Sequence, residues 1–482
     1  MTDNNEPIRQ SDLLNDSKVS LQAILLLGFM WFAYFLNYCD RQAVFAMFPS
    51  LKSDLGMTDQ QLGLTGAYFL WVYALGCPIA GIIGDRVSKR ILVVLSLTIW
   101  SLVTAATGLA RSGGELLWLR AAMGISESLF MPTAIALTAN AFAPALRSRT
   151  IAILTTAQIA GTVVGSWFGG WMADLGAWRT AFFALGGVGL VYAFPYFAFL
   201  RTLKGEGAAT APNSFAKPSI LKKTGRARLL PSLRRHGSAG ASPSRVTNCL
   251  DEVDETCLSG TSEPRVGAWN SLFAIVTVPT YQILCVVFPV FVFGLWLLYG
   301  WLPTFLHDKF GLSQSDAAFN ATLFLQSSTA VGLLSGGWLA DKLLRVTKAS
   351  RFYLMLASLI LCAPCLHAIG ACETLVQVRW AAMAFGLFSG LLMGNIFASA
   401  FEVIPSQFRA TAVGVLNLCG GLVSGFATLF GGLWKSTLGI DRLLSFTGAA
   451  YFGAGLLLLF GILVLFPRDT IKQPIDKPLF RS

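Results

Sequence analysis

Twelve apolar runs, each near the ~20 residues needed to cross about 30 Å of hydrocarbon, set the terms for this chain. They cover residues 21–48, 61–83, 91–111, 115–142, 150–173, 178–200, 271–306, 316–340, 351–371, 376–404, 411–434 and 443–466. In lipid every backbone N–H and C=O needs an internal partner, so unbroken runs of this length are helices. The expected fold class is an all-α membrane protein. Composition agrees: 54% of residues are hydrophobic and 13% charged, and the mean hydropathy is +0.62. That excludes a soluble enzyme core.

Between the sixth and seventh runs, 201–269 is rich in Ser, Pro, Gly, Lys and Arg and too polar to bury a core, so it reads as a flexible cytoplasmic linker. It opens basic (Lys222, Lys223, Arg226, Arg228, Arg234, Arg235) and turns acidic at Asp251, Glu252, Asp254 and Glu255. It sets orientation, or its basic part touches anionic lipid. The expected organisation is a tail over 1–20, six-helix bundles over 21–200 and 270–466 on either side of the linker, and a tail over 467–482. Residues 1–20 hold no apolar run, so the first helix itself is the expected insertion signal. The positive-inside rule places both termini in the cytoplasm of a plasma (inner) membrane. Of the 36 basic residues, only Lys52, Arg111, Arg179, Lys309, Lys435 and Arg442 then lie externally, and Arg41, Arg120 and Arg379 lie within or at the ends of helices. The net charge of +11 is thus topology rather than a nucleic-acid footprint. Nine cysteines, an odd number set mostly in apolar runs, argue against a disulfide framework, and Cys362-Ala-Pro-Cys365 reads as small residues packed at lipid depth.

The two halves echo one another. Gly81-Ile-Ile-Gly84-Asp85-Arg86 matches Gly336-Gly-Trp-Leu-Ala-Asp341-Lys342, and Pro144-Ala-Leu-Arg147-Ser-Arg149-Thr150 matches Pro405-Ser-Gln-Phe-Arg409-Ala-Thr411. Two such halves form a parallel repeat, with a substrate site near midplane between bodies that rock against each other. The stretch from Gly81 to Arg90 resembles the signature loop of the major facilitator superfamily. By that resemblance Gly81, Gly84, Asp85, Arg86, Arg90 and Asp341 form a cytoplasmic conformational gate. Gly161, Gly165, Gly169 and Gly170 in the fifth run suit close helix packing.

Charges at lipid depth cost roughly 2.5–3.5 kcal/mol each on insertion scales and are usually functional. Asn37-Tyr38-Cys39-Asp40-Arg41 places two in the first run; Arg120 and Glu127 place two in the fourth, two turns apart on one face. Measured from the outer ends of their runs, Asp40 lies about 12 Å deep, between Arg120 at about 7.5 Å and Glu127 at about 18 Å. The four can form one neutral network, which a proton on either acid unbalances. Permanent structural ion pairs are the competing reading. Confinement of the charges to one half, with no equivalent acid deep in the seventh or tenth run, favours proton coupling through Asp40, Glu127 and Arg120. Neighbours on a helix stand 100° apart, so Asp40 is expected to turn toward the fourth run and Arg41 toward the central cavity. There its planar fork would take a carboxylate or phosphate. Tyr38, Gln158, Tyr299, Gln326, Asn395 and Asn417 are further substrate-binding candidates; each could equally bond helix to helix.

The order NYCDR, GISES, Gly-Gly-Trp-Met-Ala-Asp174, Trp178-Arg179 and Trp301-Leu-Pro-Thr-Phe305 resembles the anion:cation symporter family over nearly the whole chain outside the tails and linker. That resemblance implies a symporter of organic anions such as sugar acids, sialic acid, nicotinate-like compounds or phosphate, with the proton, or sodium, as coupling ion. It makes Asp40 and Glu127 the proton-responsive acids, Arg41 and Arg120 their basic partners, and Tyr38, Gln158 and Asn395 substrate ligands. The linker is longer than the family pattern. Asn-Tyr-x-Asp-Arg-Gln with the helix-4 glutamate also resembles spinster-like transporters of lysophospholipids or sphingoid phosphates. No nucleophile-base set, HExxH or phosphate-cradling loop is present, and His236, His307 and His367 are scattered, so no enzyme and no cofactor is expected. The expected partners are a small organic anion and the bilayer, with the protein acting as a monomer.

Overall fold

The computed structural model describes residues 21–202 and 273–471, apart from 132, 135–136, 138–141, 143 and 406–407. The first half holds α1 (Leu21–Ala46), α2 (Phe48–Leu55), α3 (Asp59–Arg86), α4 (Lys89–Thr107), α5 (Gly113–Ser128), α6 (Pro144–Asp174) and α7 (Trp178–Thr202). The second holds α8 (Pro279–Phe310), α9 (Gln314–Leu343), α10 (Ser350–Ala371), α11 (Leu375–Met393), α12 (Ile396–Val403), α13 (Arg409–Lys435) and α14 (Ile440–Phe460). A π-helical turn over Gly461–Leu465 then leads into α15 (Phe466–Ile471). Among the described residues ten helical spans are long and apolar enough to cross a membrane. The fourth and fifth expected runs correspond to α5 with its continuation and to α6.

Three runs are interrupted. The chain turns at Leu129 just after α5, and the tenth expected run, 376–404, breaks at Gly394–Asn395 into α11 and α12. The first run also stops at Ala46, short of its expected end, and restarts as α2 with Pro49 in its first turn, where a missing N–H costs nothing.

The halves repeat local structure as well as sequence. α2 ends at Gly56 (φ 60°) and α8 at Gly311 (φ 61°), both in the left-handed region that glycine enters without penalty. Two residues later Thr58 and Ser313 cap α3 and α9 through their hydroxyls. These turns mark what we term the upper end of the bundle, and the connections at 87–88 and 344–349 the lower end.

Among the described residues, contacts between the halves gather toward the upper end. α3 meets α13 with Gly63 on Thr428, the Trp71 indole donating to the Leu422 carbonyl at 2.9 Å, and Ala74 on Gly421. Phe45 and Phe48 of the first half meet Trp296 and Trp301 of α8 at ring distances of 6.5 and 5.1 Å. Asp174, closing α6, accepts from the backbone N–H groups of Gln314 (2.7 Å) and Ser315 (2.9 Å) and from the Ser315 hydroxyl (2.6 Å) at the start of α9. On α13 the interface stripe Thr428, Gly425, Gly421 continues one turn lower to Asn417, which is exposed. Among the described residues below Ala74 and Gly421, the two helices no longer cover each other there.

Gly161, Gly165 and Gly169 let α6 approach α1: a Cβ on each would strike the backbone or Cβ of Phe35 and Tyr38, of Cys39, and of Ala43 respectively. Gly170, turned about 100° away, meets Gln314 instead.

Candidate functional site

α1 carries the centre of the site. At 100° per residue Tyr34, Tyr38, Arg41 and Phe45 fall within about 60° of one another, forming a stripe that faces the other half, while Phe35, Cys39 and Ala43 face α6. The Arg41 guanidinium pairs with Glu127 at 2.7 Å, with 4% and 0% of the two side chains exposed. It also reaches Asn37 Oδ1 at 3.4 Å and lies 4.7–4.9 Å from the rings of Tyr38, Phe69 and Tyr73. Such cation–ring contacts compensate part of the solvation that a buried cation loses.

This reverses the expected division. Arg41, rather than Asp40, turns to the helix that carries Glu127, and Asp40 points to α4, where the Thr104 hydroxyl donates to its Oδ2 at 3.3 Å. The reason is azimuth: Asp40 lies 100° off the stripe, on the side away from the centre. Arg120 likewise makes no ion pair within 4 Å among the described residues. It donates to Met123 Sδ at 3.0 Å and to the Arg41 carbonyl at 3.5 Å, over the Phe69 ring at 5.0 Å. The four charges share one buried cluster, but only Arg41 and Glu127 touch. One oxygen each of Asp40 and Glu127, both buried, finds no partner among the described residues.

A second layer lies toward the lower end. Gly170 and Gln314 touch at the top of α6 and α9, and Gln158 and Gln326 each lie twelve residues further down, about 18 Å along antiparallel helices, so they share a depth. Gln158 Oε1 accepts from Tyr34 at 3.2 Å, and the Tyr34 and Tyr38 rings meet edge to face at 5.1 Å. Across from them, Tyr299 of α8 lies against Gln326 and within electrostatic reach of Tyr38, with Trp296 edge-on at 5.7 Å. Trp296 also packs on the group of Phe69, Leu70 and Met123 beneath Arg41. The structure thus gathers Tyr38, Arg41, Gln158, Tyr299 and Gln326, from both halves, around one region.

Two other candidates stand apart. Asn395 donates to the carbonyls of Gly336 (3.2 Å) and Leu391 (2.8 Å), so its amide ties the α11–α12 break to α9 instead of facing a ligand. Asn417 is exposed one turn below the interface, outside the layer. Of the gate residues, Asp341 is exposed and meets Arg351 at 3.3 Å, which also holds Glu402 at 3.0 Å. The side chains of Gly81, Gly84, Asp85 and Arg86 lie outside the described residues; Arg90 is half-buried. Cys362 and Cys365 are free thiols donating to backbone carbonyls.

Sequence reasoning missed Tyr34, Phe69, Tyr73, Thr104 and Trp296. Tyr34 was within reach, one turn before Tyr38 on the same stripe. The others carry no local signal, since what makes them matter is proximity to Arg41 or Asp40 across helices.

The family model described as Major Facilitator Superfamily matches residues 30–428. The probable sulfoacetate transporter SauU of Cupriavidus necator is 26% identical, the match covering 94% of this chain and 96% of that protein. A gallate transporter of Pseudomonas putida is also 26% identical, over 94% and 95%. The structure is similar in fold to a bacterial homolog of the human lysosomal transporter spinster in an inward-facing, unoccupied conformation, with a TM-score of 0.66 and 19% identity over 94% of this chain and 99% of that one.

Proposed function

The chain belongs to the major facilitator superfamily of multi-pass membrane transporters, and from that premise we propose that it is a proton-coupled symporter of a small organic anion, working by alternating access. Relatives named as a probable sulfoacetate transporter and a gallate transporter, each matched over nearly its whole length, support an organic-anion substrate. Within the site, the Arg41–Glu127 pair carries the reading. Removing one partner of a buried pair costs roughly 3–5 kcal/mol, because the other is left charged and uncompensated. An anion approaching Arg41 therefore competes with Glu127 for the same fork. A proton on Glu127 releases the guanidinium to the substrate, so anion and proton bind together. Asp40, buried without a cation in contact, is the second proton acceptor and Arg120 the charge that keeps the cluster neutral.

With the upper end placed outside, as the Lys and Arg distribution favours, the closed contacts are external and the uncovered stripe at Asn417 faces the cytoplasm. The cycle then alternates between this arrangement and one in which the upper contacts part. Asp341, Arg351 and Glu402 act in the lower gate together with the 81–90 loop.

The test is uptake by purified protein in proteoliposomes, across a panel of organic anions, with and without an inward proton gradient. Accumulation should require the gradient, and Asp40→Asn and Glu127→Gln should abolish it while leaving part of the counterflow exchange. If both variants accumulate substrate like wild type, the coupling assignment fails. A lysophospholipid that is transported in preference to every organic anion would favour a spinster-like carrier instead.

A further inference from the structure

We propose, building on the organic-anion reading above, that the transported anion is a planar aromatic carboxylate bearing ring hydroxyls, held with its ring between Tyr38 and Trp296 and its carboxylate on Arg41. The surface offered to a ligand beside Arg41 is made of rings. Tyr38 and Tyr73 from the first half and Trp296 from the second are half-buried, each keeping part of its side chain uncovered, whereas Phe69 behind them is fully buried. Tyr38 and Tyr73 already bracket the guanidinium at 4.8 and 4.9 Å, and Trp296 stands on the Phe69 group from the opposite side. A flat ring entering here meets faces and edges of other rings, each such pair worth about 0.5–1.5 kcal/mol beyond area burial. A saturated, puckered acid meets the same surfaces with poorer contact.

The supply of polar groups points the same way. A polyhydroxylated chain needs donors and acceptors along its whole length. In this layer Gln158 Oε1 is engaged by Tyr34, and Asn395, which stands apart from it, spends its donors on backbone carbonyls. On the second half the Gln326 amide is buried beside the Tyr299 hydroxyl. Those two groups suit one or two hydroxyls on the edge of a ring whose carboxylate lies at Arg41. Because the rings come from both halves, the ligand would also join the halves, as a transported substrate must.

The experiment measures binding to the purified full chain by thermal shift and uptake into proteoliposomes. Probes are 4-hydroxybenzoate and 3,4-dihydroxybenzoate, with cyclohexanecarboxylate as a non-planar match in size and charge and gluconate as a polyhydroxylated acid. The hydroxybenzoates should bind at least about tenfold more tightly than either comparator, a difference of roughly 1.4 kcal/mol. Trp296→Ala should weaken them roughly 2- to 12-fold, the ring-pair range, with little change for gluconate, and Trp296→Phe should restore most of the loss. Equal loss for every probe would make Trp296 merely structural and overturn the assignment. Preference for gluconate or cyclohexanecarboxylate would overturn the aromatic class and leave the organic-anion reading standing; absence of binding and uptake for every anion would overturn both.

Discussion

Arg41 is a guanidinium with one carboxylate, one amide and three rings around it, and its planar shape is what allows them all. Rings stack on a flat delocalised cation in a way they cannot on an ammonium, and the fork that Glu127 holds fits a substrate carboxylate once Glu127 takes up a proton. Arg41→Lys should therefore keep the charge balance and the fold but lower substrate affinity roughly 10- to 150-fold, as one charge-assisted hydrogen bond is worth roughly 1.5–3 kcal/mol. Unchanged affinity in a binding titration would remove Arg41 from the anion site. The charges themselves were legible in the sequence, because an acid or base in an apolar run stands out and its depth follows from residue counting. Their pairing was not. Asp40 and Arg41 differ by 100° of azimuth, and which of them meets Glu127 depends on how α1 is rotated, which is set by the glycine face of α6 pressing on Phe35, Cys39 and Ala43.

At the scale of elements, that glycine face sets the position of the site. Gly165 touches the Cys39 backbone directly, one residue before Asp40, so any side chain there must push α1 aside or turn it. Gly165→Val should destabilise the protein by about 1–3 kcal/mol, the usual cost of overpacking, and disturb transport as well. Gly187 on α7, where a Cβ would meet nothing, is the control: Gly187→Ala should leave thermal stability unchanged or raise it slightly, since alanine is the better helix former by roughly 1 kcal/mol. Thermal unfolding monitored in detergent distinguishes the two, and equal melting temperatures for both variants would show that α1 and α6 tolerate separation. The four-residue glycine spacing made this packing readable before any coordinates. The break at Gly394–Asn395 was not, because a hydropathy run does not reveal where one helix ends and the next begins when both lie in lipid. What marks it is the Asn395 amide bonding to carbonyls of α9 and α11, a tertiary contact.

For the whole molecule, the upper closure rests on a helix cap donated across the interface. Asp174 belongs to the first half, yet it satisfies two N–H groups and a hydroxyl at the start of α9 in the second, where the helix dipole favours an anion. Nearby, Gln314 donates to Ser50 at 2.9 Å, and Lys435 pairs with Asp308 at 2.8 Å and more loosely with Asp59 at 3.8 Å. The Lys435 contacts are part-exposed and contribute little. The Asp174 cap matters more because it is lost as a unit when the halves part, so it biases the equilibrium toward the upper-closed state. Water recovers part of the loss, and a net difference of even ~1.4 kcal/mol shifts the population tenfold. Asp174→Ala should therefore enrich the upper-open state. Spin labels at Leu175 and Ser313, in a background whose accessible native cysteines are replaced, should show a single short distance in the parent and an added longer one in the variant. The same variant should bind substrate more readily from the upper side, since less closure must be undone. An unaltered distance distribution would mean that the packing of Gly63, Gly66 and Gly432 against the opposite half closes the upper end without help from the cap.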